Sequence, residues 1–130
     1  MALTTYAANK LLDHMSGKTA YTMPDVFLAL FTTAPNVSGG GTECVYTGYA
    51  RKDVVAADFS AAASGANTNA NDVVFNAKTG GTDETVTHWA TFDAVTAGNM
   101  LEFGALTTSK LIQTGHSPRF LAGDSDRTAA

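Results

Sequence analysis

Charge is scarce in this chain, since Asp, Glu, Lys and Arg make up only 15% of its 130 residues. Cations are the scarcer sign, eight against twelve acidic residues for a formal charge of −4. A domain that neutralises nucleic-acid phosphates needs clustered Lys and Arg. Here the only adjacent basic pair, Arg51-Lys52, is followed at once by Asp53, so direct nucleic-acid binding is not expected. The single cysteine, Cys44, cannot form an internal disulfide, and Thr42-Glu43-Cys44-Val45 has no metal-ligand spacing. No apolar run approaches the roughly 20 residues needed to span a bilayer. The basic start and apolar stretch of a secretory signal are also missing, so the expectation is a chain made and folded in a cytosol, with no membrane partner.

What is present is apolar enough to fold. Hydrophobic residues account for 45% of the sequence, which excludes a collagen-like, coiled-coil or wholly disordered chain. The length suits one domain. Leu3, Ala7, Leu11, Leu12 and Met15 recur at helical spacing, predicting a helix over residues 5–16 with Thr4 or Thr5 as its cap and Gly17 at its end. The remainder reads as strands and turns. Val26-Phe27-Leu28-Ala29-Leu30-Phe31 is a continuous apolar run, as in a strand buried on both faces. Residues 37–48, with Gly39-Gly40-Gly41, read as a long flexible loop, and residues 49–54 as a second strand. In the run 86–92, Val86, His88, Ala90 and Phe92 fall on one face, with Thr87, Trp89 and Thr91 on the other. Residues 100–106 complete a hairpin with it, and Leu111-Ile112 forms a weaker strand. The expected fold is mainly β: a single antiparallel β-sandwich or jelly-roll-like domain over residues 1–121 with a short N-terminal α-helix. Residues 122–130 read as a polar tail.

No catalytic constellation emerges. Ser16-Gly17-Lys18 and Ser109-Lys110 have the wrong spacing for a serine nucleophile with a lysine or an elbow. His14, His88 and His116 are far apart in sequence and lack metal-helix spacing. Asp124-x-Asp126 lacks the glycine and closing glutamate of a calcium loop. The triple glycine is not followed by Lys-Ser/Thr and is no phosphate loop. The sequence thus predicts no enzyme, cofactor or metal. Trp89, Tyr46 and Tyr49 could form a sugar-stacking platform, and that carbohydrate-binding alternative stays open.

Several blocks together resemble a family of small tailed-bacteriophage virion proteins often labelled as tail fibre proteins. They are Leu3-Thr4-Thr5-Tyr6-Ala7-Ala8-Asn9-Lys10-Leu11-Leu12, then Leu28-Ala29-Leu30-Phe31-Thr32-Thr33-Ala34-Pro35 with Gly39-Gly40-Gly41-Thr42-Glu43, and Gly48-Tyr49-Ala50-Arg51. Val86-Thr87-His88-Trp89-Ala90 and Gly98-Asn99-Met100-Leu101 complete the pattern. The resemblance implies a non-enzymatic virion part, made in the host bacterial cytoplasm. Its leading reading is a capsid decoration, or cement, that binds the major capsid protein and copies of itself as a trimer and stabilises the assembled shell by mass action. The alternative is a tail or tail-fibre-associated module with other tail proteins as partners. The candidate contacts are Tyr6, Lys10, Val37, Tyr46, Arg51 and Arg119. The polar end of the chain departs from the family pattern, which favours a further apolar strand there.

Overall fold

In a computed structural model that describes residues 2–124 and 127–128, the apolar run of the sequence becomes the centre of a sheet. That strand, β2 (Val26–Thr33), is joined on one side by β7 (Glu84–Phe92), which pairs in turn with β8 (Met100–Ile112). β1 (Ala2–Leu3) pairs with the far side of β8 at Phe103 and Glu102. The other side of β2 is shared end to end by β3 (Thr42–Glu43) and β4 (Lys52–Val54). All these pairings are antiparallel. Two short antiparallel ribbons complete the fold: β6 (Val73–Val74) with β9 (Arg119–Phe120), and β5 (Ala66–Asn67) with β10 (Arg127–Thr128). The chain is thus mainly β with antiparallel sheets and one short N-terminal helix, as its sequence predicts. The sandwich takes the form of one six-stranded sheet faced by two-stranded ribbons.

Each face of the sheet holds a core. The larger one gathers Leu28, Leu30, Val86, Trp89 and Ile112 of the sheet against Tyr46, Val73, Phe75 and Phe120. The smaller one, on the opposite face, contains Ala29, Phe31, Ala90, Phe92 and Met100. Strand alternation explains the division, because Leu28 and Leu30 point one way and Ala29 and Phe31 the other. Both halves of the run are therefore buried, which is why it reads as continuous. The accessible surface, 6983 Å², is close to the roughly 6,500 Å² expected of a folded chain of this mass.

Helix α1 (Thr5–Met15) begins at Thr4, whose hydroxyl accepts from the Ala7 amide. The same hydroxyl donates to the Met100 carbonyl at 2.6 Å, so one side chain caps the helix and fixes it to β8. Gly17 has φ +75° just past the helix end, the left-handed position that glycine takes without a steric penalty.

Several expectations need correction. Val86 does not share a face with His88; it belongs to the Trp89 core. His88 pairs with Ala105 and Val86 with Lys110, so Thr87 alone stands opposite residues 106–109. That bulge reverses the alternation, as bulges do, and it lets residues 100–112 form one strand rather than two. The expected loop at 37–48 contains β3, and the expected strand at 49–54 shrinks to three residues because Tyr49 turns inward. Its hydroxyl donates to Glu43 and accepts from the Leu30 amide. The stripe of α1 is only partly covered: Ala7 is buried, whereas Met15 is 82% exposed. Of the expected polar tail, residues 125, 126, 129 and 130 lie outside the described residues. Arg127 and Thr128 pair with β5, and Asp124 accepts from the Leu121 amide and from Lys110.

Candidate interaction face

The start of α1, the glycine loop and the tip of the β7–β8 hairpin converge because each is tied to another by backbone. The Thr5 amide donates to the Val37 carbonyl at 2.8 Å and the Thr4 amide to that of Leu101 at 3.0 Å. Asn36 and Gly39 close a tight turn on each other, and the chain then passes through Gly40 and Gly41. Gly41 has φ +78°, and a Cβ there would lie 2.9 Å from the Pro35 nitrogen, so no other residue fits the loop without moving it. The hairpin tip is held by Asp93, whose carboxylate accepts from the Asn99 amide at 2.6 Å and from its side chain at 2.9 Å. Between these three segments lies an open cleft of about 540 Å³, with Phe31, Phe92 and Met100 beneath it and Tyr6, Val37, Ser38 and Asn99 around it.

Arg51 holds the floor of this cleft together. Its Nε and Nη2 meet the two oxygens of Glu43 at 2.8 and 2.9 Å, and Nη1 donates to the carbonyls of Ala94 and Ala97. The guanidinium also stacks 3.6 Å from the centre of the Phe92 ring. With its side chain 7% exposed, Arg51 is an internal clamp between β3 and the hairpin tip, not a surface cation awaiting a partner. The planar fork of arginine is what permits a bidentate carboxylate, two carbonyls and a ring face at once.

The other predicted contacts are dispersed. Tyr6 and Val37 both line the cleft, and Lys10 lies one helical turn beyond Tyr6 with its ammonium 5.6 Å from that ring. Tyr46 is 3% exposed, packs in the main core and donates its hydroxyl to the Asn76 carbonyl, so it cannot face a partner. Arg119 sits apart on β9, exposed, with Asp72 at 3.6 Å. The sugar-stacking platform is not formed: Trp89 is 2% exposed beneath Phe120, and Tyr49 stacks on Phe75 inside the core.

Two charged pairs escaped sequence reasoning. Lys78, 1% exposed, reaches Asp83 at 2.7 Å, and that contact holds the exposed Asp83 carboxyl below its ordinary range. Glu102, 4% exposed, meets Arg127 at 2.7 Å. Burial outweighs the attraction of Arg127 and leaves the Glu102 carboxyl above its usual range. Nothing in the local sequence distinguishes these residues from surface charges, because both pairs are made by the tertiary fold. The same holds for Glu43, whose role depends on Arg51 reaching it. The histidine rings are engaged singly, His14 by the Tyr21 amide and His88 by the Thr87 hydroxyl. Among the described residues no group of three or more His, Cys, Asp or Glu could hold a metal ion, and no helix is long and apolar enough to cross a membrane.

The cleft offers backbone and hydroxyl hydrogen-bonding groups over an aromatic floor, with Glu43 already committed to Arg51 and Tyr49. No curated protein matches the sequence. A protein-family model does, described as podophage GP4 fiber I protein gp80, and the match spans residues 2–128. It covers the helix, the clamp, both cores and the β10 ribbon alike, and the chain belongs to this family of phage fibre structural proteins.

Proposed function

We propose that the protein is a structural module of a podophage fibre, attached to the tail apparatus and engaging neighbouring fibre or tail proteins through the cleft at the start of α1. The family match across nearly the whole chain carries this reading, because the family is described by a fibre component and not by a shell component. The alternative of the sequence reading is therefore preferred to its leading one, capsid decoration. Fastened on three sides by Thr4, Arg51 and Asp93, the cleft supports a binding role, since a surface that is already rigid loses little entropy on contact. No catalytic step is assigned to it.

Stoichiometry tests the proposal. In purified particles, quantified by mass spectrometry against the major capsid protein, a fibre component is present at a few percent of the shell protein or less. A ratio near one, or a simple fraction of one, would instead place the chain on the shell. Tyr6→Ala and Val37→Asp should lower incorporation into particles while leaving the isolated domain folded, because both side chains lie at the cleft rim.

A further inference from the structure

The first and last strands meet at one carboxylate. β1 pairs its Leu3 with Glu102 of β8, and Arg127 of β10 brings its Nε to 2.7 Å from the Glu102 side chain. The rest of the guanidinium is held by the segment that carries β5. Nη1 donates to the Asn67 side-chain oxygen at 3.2 Å, and the guanidinium carbon lies 4.6 Å from the centre of the Phe59 ring. The ribbon itself is slight. β10 and β5 have two residues each and pair only with one another, Arg127 with Asn67 and Thr128 with Ala66, and so short a ribbon has little stability of its own. Beyond that pairing, β10 is anchored by the Arg127 guanidinium.

Glu102 and Arg127 also line a second groove of about 550 Å³, whose apolar walls include Leu3, Met23, Val26 and Phe59. The other titratable groups in that groove are Tyr21 and Asp25 from the segment before β2, and Asp53 from β4. α1, β1 and β7 contribute none. Among the described residues the cation in contact with Glu102 is therefore Arg127 alone. Burial has the largest influence on the Glu102 carboxyl and raises it, while Arg127 and then the amino-terminal charge oppose the rise.

We propose that Glu102 and Arg127 form a proton-operated clasp: the ionised carboxylate holds β10 down, and its protonation releases β10 and uncovers the groove beside Phe59. Protonation turns a charge-assisted contact into an ordinary one, which is much the weaker. The linkage has a definite sign. Detaching Arg127 removes an attraction that favours the carboxylate, so the detached state binds the proton more tightly and acid favours detachment. Because burial sets the carboxyl above its ordinary range, the clasp yields while exposed carboxylates are still ionised and both cores are intact. The inference concerns one chain and does not rest on the fibre assignment.

An NMR titration of the full chain from neutral to acid pH tests it. The Glu102 carboxyl carbon should titrate above the exposed carboxylates. The amide signals of Ala66, Asn67, Arg127 and Thr128 should lose their native positions with the same midpoint, while those of β2 and β7 keep theirs. Glu102→Gln, which preserves shape, should leave β10 loose at neutral pH and abolish the transition. Arg127→Ala should shift the Glu102 midpoint upward, which loss of an inert surface arginine would not do. Asp25→Asn and Asp53→Asn should leave the transition in place. Ribbon signals that stay native through the Glu102 titration overturn the proposal. So does a ribbon transition that persists in Glu102→Gln, one abolished by Asp25→Asn or Asp53→Asn, or a Glu102 midpoint indifferent to Arg127→Ala.

Discussion

At the scale of single residues, burial decides chemistry. Cys44 is 2% exposed, and that burial, reinforced by Glu84 and Glu43 nearby, pushes its thiol up to about 12. The thiolate is the reactive form, so the native protein should be inert to a disulfide-exchange reagent at neutral pH. It should yield one thiol per chain only when denaturant is added; prompt reaction of the folded chain would contradict the structure. Glu102 behaves differently. Its carboxyl is raised, so above the ordinary carboxylate range the folded chain holds a proton that the unfolded chain has lost. In that window the native state binds more protons, and stability falls as pH rises. Glu102→Gln removes this dependence. Its stability relative to the natural chain should therefore increase as pH climbs from the ordinary glutamate value through the raised one, as followed by denaturant melts across pH.

At the scale of elements, close approach sets the limits. Gly104 on β8 lies against the Trp89 ring, and a Cβ there would come within 2.8 Å of it. Trp89 is locked beneath Phe120 and cannot give way, so Gly104→Ala should cost about 1–3 kcal/mol, the penalty of an overpacked core. Urea unfolding measures it directly. How far such elements can be foreseen depends on how local their causes are. The helix start at Thr4 and the hairpin were legible because caps, spacing and turn residues act within a few positions. The inward turn of Tyr49 and the bulge opposite Thr87 were not, since each depends on partners far off in sequence. The site divides in the same way. Tyr6 and Val37 were legible as candidates beside the helix start and the glycine loop, but that they share one cleft is set by the hydrogen bond from Thr5 to Val37. The burial of Tyr46 and the clamp of Arg51 are set by where β3 and the hairpin tip come to rest.

At the scale of the whole molecule, Arg51 links segments that the chain separates by more than forty residues. Arg51→Ala would strand the half-buried Glu43 and release the Ala94 and Ala97 carbonyls together, with a cost of about 3 kcal/mol. The same change should loosen the glycine loop and the hairpin tip, visible as faster amide exchange in both while β2 and β7 stay protected.

Trp89, the only tryptophan, gives the protein an internal lamp with a restricted view. Sealed between the sheet and Phe120, it should emit toward the blue and resist quenching by iodide or acrylamide until the fold opens. Its light then reports loss of the core and stays silent about events at either groove. A partner that dims or shifts it has done more than bind: it has rearranged the sheet.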